Sequence, residues 1–246
     1  MTAVAIVAAM DREILPLVRN WKRVPLGGSE DGFTCFEKGD LVAVAGGIGC
    51  KRAESAARAV VEKYRPSMLV SAGLAGALIR SLKVGNIVLP SVIVDAANGD
   101  EYRCDPDDEV VSGGVLVSST GVAGSDSKAA LVEKFHALVV DMEAAGVART
   151  ARQSGVKLRC VKAISDESDF RMPPLSRFID GEGRLQASRF ALWTAVRPQH
   201  WAATIGLARN SRRAALALAD YLGKNLAGRL PAGPVVTLDG ADHHRA

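Results

Sequence analysis

Cysteine is scarce and unpaired in this 246-residue chain. Cys35, Cys50, Cys104 and Cys160 show no C-x-x-C spacing and have no neighbouring histidine. They therefore read as buried small hydrophobes in a reducing compartment, and neither a disulfide frame nor a metal site is expected. Histidine is equally sparse: His243 and His244 fall in a polar tail, while His136 and His200 stand alone, so no metal signature exists. No apolar run reaches the length of a membrane span. The apolar start, residues 1–10, lacks a basic flank and a cleavage site and is closed by Asp11-Arg12. It reads as a first strand, not a signal peptide. The net charge of +4 is too slight to demand an acidic partner, and the basic residues carry no nucleic-acid reader motif. A cytoplasmic protein without cofactor or metal is expected, and no nucleic-acid partner.

What the chain does have is apolar content: 48% of residues are hydrophobic, enough for one large α/β domain with a sizeable core. Continuous apolar runs at 3–9, 68–72, 115–119, 138–141 and 158–164 predict strands covered on both faces. A strand pair is predicted at 33–36 and 41–45, a turn at Gly27-Gly28, and a long strand from 83–90 toward Val94. Helical patterns occupy 11–18, 53–64, 125–135, 144–153 and 204–227. Residues 96–114 read as an excursion loop. Strands alternating with helices predict an α/β fold, a single-domain three-layer sandwich around a mixed, mostly parallel sheet. The domain is expected over 1–230, with a mobile C-terminal tail at 231–246.

Three acidic sites follow strand ends. Val139-Val140-Asp141-Met142-Glu143-Ala144 runs from a β-branched pair into a small-residue helix. An acid at such a switch sits beside free backbone N–H groups, where α/β proteins place ligands. The blander reading is an acidic first turn complementing the helix dipole. Asp11-Arg12-Glu13 and Ile164-Ser165-Asp166 repeat the pattern. Two glycine-rich stretches, Gly46-Gly47-Ile48-Gly49 and Gly73-Leu74-Ala75-Gly76, allow close backbone approach to something bound. Neither is a full dinucleotide fingerprint, and a structural turn explains the first equally well.

The segment 170–201 differs in character, interleaving Arg171, Arg177, Arg184, Arg189 and Arg197 with Phe178, Phe190, Trp193 and Trp201. It reads as a surface helical hairpin with snorkelling arginines. A lid, a subunit contact or a membrane-surface element is the alternative.

Taken in order, Ala9-Met10-Asp11-Arg12-Glu13, Gly47-Ile48-Gly49-Cys50-Lys51, Gly73-Leu74-Ala75-Gly76-Ala77, Lys83-Val84-Gly85-Asn86-Ile87-Val88, Val140-Asp141-Met142-Glu143-Ala144 and Ala163-Ile164-Ser165-Asp166 resemble the nucleoside phosphorylase/nucleosidase superfamily. The likeness is greatest to its 5′-methylthioadenosine/S-adenosylhomocysteine nucleosidase branch, over residues 3–168 and the last helix. The resemblance implies cleavage of the N-glycosidic bond of a purine nucleoside, with water or phosphate as co-substrate, in a homo-oligomer such as a homodimer. Asp166 then protonates the departing base and must carry a proton near neutral pH, which calls for a buried setting. Glu13 activates water, Glu143 holds the ribose hydroxyls, Met142 packs under the sugar and Ser165 orients Asp166. Gly49, Gly73, Leu74 and Val122 complete the implied binding set. Phosphorylases of the superfamily resemble one another in an arginine and a serine around the glycine motif. Here Ser71 and Leu74 stand at those places, which favours hydrolysis. Leu74 departs from the nucleosidase pattern, and the longer 170–201 segment is similar to that of hopanoid-associated phosphorylases. A phosphorolytic enzyme for a lipid-linked adenosyl nucleoside is thus one alternative, and a non-catalytic nucleoside-binding module is another.

Overall fold

The computed structural model describes residues 4–26, 33–105, 113–170, 172–180, 186–230 and 232. The turn expected at Gly27-Gly28, residues Arg171, Glu182 and Arg184 of the basic segment, and the 231–246 tail except residue 232 lie outside them.

Along the chain run β1 (Val4–Ala8), α1 (Asp11–Val18), β2 (Lys22–Pro25), β3 (Thr34–Lys38), β4 (Leu41–Ala45), α2 (Cys50–Tyr64) and β5 (Met68–Ala77). They are followed by β6 (Ile87–Val88), β7 (Val92–Asp95), β8 (Glu101–Arg103), β9 (Val115–Ser118), α3 (Ser125–Phe135), β10 (Ala137–Asp141), α4 (Ala144–Ser154) and β11 (Lys157–Asp166). A short 3-10 turn (Leu175–Phe178), α5 (Ala187–Ala195), a second 3-10 turn (Pro198–His200) and α6 (Trp201–Asn225) complete the described chain.

β5 is the axis. Its first half pairs with β1 in parallel along one edge, and its last residues, Gly76 and Ala77, pair there with β10 in antiparallel fashion. Its other edge pairs with β11 in parallel from Met68 to Gly76. The sheet as a whole is mixed, extending through β1 to β4, β3 and β2 and through β10 to β9, β7 and β8. Helices cover both faces. On one, α2 and α4 supply Ala53, Ala56, Val60, Ala148 and Ala151; on the other, α1 and α6 supply Ile14, Val18, Leu218 and Leu222. Strands buried on both faces explain why their sequences are unbroken apolar runs, not alternating ones.

Three sequence expectations are corrected. The strand at Met68 does not stop at Ala72 but continues through the glycine motif to Ala77, because its small residues let it lie flat between two neighbours. The strand expected from 83 to Val94 is two strands, β6 and β7, parted at Pro90, which has no N–H for a ladder. The excursion loop contains β8, which pairs with β7.

α2 and α4 pack so closely that a Cβ on Gly146 would lie 2.1 Å from the Cys50 carbonyl oxygen and 2.9 Å from its carbon. Backbone cannot yield as a side-chain tip can, so the helices must separate if Gly146 gains a methyl group. Gly146→Ala should cost about 1–3 kcal/mol, read as a lower urea midpoint. An unchanged midpoint would show that the close crossing is not a constraint.

Candidate active site

The C-terminal ends of β5, β10 and β11, the start of α1 and the loop before α3 enclose a cavity of about 160 Å³. Glu13, Glu143 and Asp166 all line it, together with Met142, Ser165, Leu74 and Val122. Three acids, one of them more than a hundred residues from the other two along the chain, thus meet in one cleft. Gly73 and Gly49 do not line it. Gly73 stands beside Glu13, and the Gly49 N–H binds Glu143.

Glu13 lies in the first turn of α1 and turns back so that its Oε2 accepts the Ala9 N–H at 3.3 Å. It is 3% exposed. Burial pushes its pKa up to about 7, against the opposing pull of Lys162, Arg12 and the Ala9 and Met10 amides. Glu143 opens α4. Its Oε1 accepts from Gly49 N–H at 2.9 Å and its Oε2 from Met142 N–H at 3.2 Å. Gly49 has φ 100° and ψ 154°, a backbone region that belongs to glycine, and this conformation delivers its N–H to Glu143. Burial, and then the charge of Asp141, hold the Glu143 pKa well above the carboxylate range.

β5 makes room for two of the acids. A Cβ at Gly73 would sit 3.0 Å from Glu13 Oε2, and one at Gly76 would sit 2.9 Å from Asp166 Oδ2. Asp166, the last residue of β11, is buried but not alone. Ser165 Oγ lies 2.9 Å from its Oδ1, and the Lys128 ammonium lies 2.6 Å from its Oδ2. Asp166 is 3% exposed, and there it is held in an ion pair with Lys128.

Beneath the cleft lies a second pair. Lys162, 1% exposed, reaches across β5 from β11, meeting Asp141 Oδ2 at 2.8 Å and Ser71 Oγ at 3.2 Å. Asp141 also accepts Ser118 Oγ at 2.6 Å and the Ala144 N–H at 2.9 Å, capping α4. Burial opposes the Lys162 charge, yet Asp141, Cys160 and Glu143 around it hold its pKa above the lysine range. Ser71 is thereby committed to Lys162 and is not among the cavity-lining residues.

The segment after β11 closes the outer wall with Met172, Leu175 and Ile179, and α6 adds Leu207 and Ser211. Phe178 packs on Phe190 and Trp193 with ring centroids 5.3 and 5.6 Å apart, while Leu192, Val196, Trp201 and Ile205 face solvent. Among the described residues no helix is long and apolar enough to cross a membrane. Nor does any group of three or more His, Cys, Asp or Glu side chains form a candidate metal site among them.

Sequence reasoning missed Lys162 and Lys128, and gave the outer wall only as the lid alternative for 170–201. A lysine inside the apolar run Cys160-Val161-Lys162-Ala163-Ile164 was a legible signal, since an unpaired lysine is almost never buried. Lys128 carries no such signal, because it resembles any charged residue on a surface helix.

The family model described as the phosphorylase superfamily matches residues 3–109 and 107–191, and the chain belongs to that superfamily. A 5′-methylthioadenosine/S-adenosylhomocysteine nucleosidase of Buchnera aphidicola is 26% identical over 167 residues, 54% of this chain and 70% of the relative. A Helicobacter pylori enzyme of the same description shares the fold with TM-score 0.69 at 17% identity, over 94% of this chain and 99% of that one. The futalosine hydrolase of Helicobacter pylori does so with TM-score 0.66 at 19% identity, over 90% and 95%.

Two measurements test this geometry. The folded pKa of Glu13, about 7, lies above its ordinary 4.5, so the folded state holds the proton more tightly than the unfolded chain. This group's stabilisation is fully present below pH 4.5 and is lost as pH rises to about 7, an effect of about 3 kcal/mol. The stability of Glu13→Gln relative to the parent should therefore rise by about that amount between pH 4.5 and 8. A flat difference would contradict the burial of an ionisable Glu13. Separately, Lys162→Met leaves Asp141 buried without its cation and should cost about 3–5 kcal/mol in urea unfolding. A loss below about 1 kcal/mol would mean the pair is solvated.

Proposed function

We propose that the protein hydrolyses the N-glycosidic bond of an adenine-type purine nucleoside. The observation that carries this reading is the convergence of Glu13, Glu143 and Asp166 on one cavity, with Glu13 poised near neutral pH. Breaking the bond develops an oxocarbenium-like sugar and pushes the bonding electron pair onto the base. Asp166 delivers a proton to the base N7 as that charge grows, with Ser165 fixing its orientation. Glu13 takes a proton from the water that attacks C1′. Glu143 accepts the ribose 2′ and 3′ hydroxyls, Met142 packs under the sugar, and Val122 borders the base. The apolar outer wall of Met172, Leu175, Ile179 and Leu207 suits an apolar 5′ substituent.

Hydrolysis is preferred over phosphorolysis because the positions that would hold phosphate are otherwise engaged. Ser71 serves Lys162, and Leu74 offers no donor. A phosphate dianion needs cationic and hydroxyl groups converging on it. Relatives named as nucleosidases support the same choice.

Incubation with adenosine, methylthioadenosine and S-adenosylhomocysteine, with and without phosphate, tests the reading. Free adenine and reducing sugar are expected at equal rates in both conditions. A sugar phosphate formed only with phosphate would convert the reading to phosphorolysis. Asp166→Asn should lower kcat by about 10²–10⁴-fold. If the parent binds these nucleosides without cleaving them, the protein is a binding module.

A further inference from the structure

The Lys128 ammonium is an unusual presence in this cleft. It projects from the first turn of α3, is 4% exposed, and lines the same cavity as the three acids. Two of its three N–H groups are accounted for: one meets Asp166 Oδ2 at 2.6 Å and one the Glu167 carbonyl at 2.9 Å. The Glu167 carboxylate itself faces away and pairs with Lys83 at 2.9 Å. Lys128 therefore answers to a single carboxylate, and that carboxylate is the one placed to act as the acid. Desolvating an ammonium for a structural contact alone is a poor use of a buried lysine, since a buried ion pair contributes little net stability compared with apolar packing. The pair also sits where charge develops during the proposed reaction.

We propose that Lys128 is a positioning residue for Asp166, holding its carboxylate toward the base and resupplying the proton it gives up. The inference rests on the N-glycosidic reading above. As the C1′–N9 bond breaks, its electron pair enters the purine, and Lys128 passes a proton from Nζ to the Asp166 carboxylate, which hands it on to N7. Lys128 is left as a neutral amine and Asp166 as the carboxylate. Water adds its oxygen to C1′ and gives a proton to Glu13. After the products leave, Glu13 releases that proton to solvent and Lys128 regains one, so the balance is nucleoside plus water to base plus sugar. The Ser165 hydroxyl, with one proton for both Asp166 Oδ1 at 2.9 Å and the Ala75 carbonyl at 3.3 Å, can donate to either as Asp166 changes charge.

The test compares Lys128→Met and Lys128→Arg with the parent on the adenine nucleoside it turns over best and on the N7-methylated form of that nucleoside. The methylated base already carries the positive charge that the acid would deliver. Lys128→Met should lose about 10²-fold or more in kcat on the ordinary nucleoside, with KM changed only a few-fold, and should lose far less on the methylated one. Lys128→Arg keeps the cation but cannot give up its proton, so it should recover less than about threefold. Equal losses on both nucleosides, a loss below about fivefold, or full recovery with arginine would each overturn the role. Should the parent cleave neither nucleoside, it is the glycosidic reading that fails, and this inference falls with it.

Discussion

The buried pair between Lys162 and Asp141 is the constraint on which the site depends. One partner is on β11 and the other at the end of β10, the strands flanking the last half of β5. An ammonium and a carboxylate withdrawn from water must find one another, so the pair fixes how far each strand runs. Gly73 lies beside the pair, where a Cβ would make an ordinary 3.6 Å contact with the Lys162 nitrogen but a tight 3.0 Å one with Glu13 Oε2. The same ammonium supplies positive potential beneath two carboxylates and opposes the rise in pKa that burial causes in each.

That arrangement sets two tendencies against each other. Burial raises the pKa of Glu13 and Glu143, and Lys162 draws both back down. With burial stronger, Glu13 is held near neutrality, the condition under which a carboxylate works best as a base. The fold tolerates this strain because the surroundings are rigid: strands covered on both faces, two helices in backbone contact at Gly146, and an Asp141 that both pairs with Lys162 and caps α4.

The walls of the cavity divide by origin. Its floor, with Glu13, Glu143 and Asp166, comes from strand ends and helix starts at the centre of the fold. Its outer wall comes from the basic, aromatic segment and α6, through Met172, Leu175, Ile179 and Leu207. Because floor and wall come from different segments, the wall can vary without moving the acids of the floor. Lys128, delivered by the loop and helix after β9, belongs to neither group. It joins the acid from the side.

Local patterns by themselves determined much of this protein. Unbroken apolar runs located β1, β9, β10 and β11, because strands buried on both faces have no polar side to show. α3 was legible to the residue, and an acid following each of three strands marked Glu13, Glu143 and Asp166. What tertiary structure alone decided were the relations between distant residues. The continuation of β5 through its glycines depends on β11 lying alongside. The engagement of Ser71 depends on a lysine 91 residues away. The partnership of Lys128 with Asp166 spans 38 residues and an intervening helix and strand. Hydropathy and spacing report what each residue would bury in its own element, whereas an ion pair is a property of two elements meeting, and only the folded chain brings them within 3 Å.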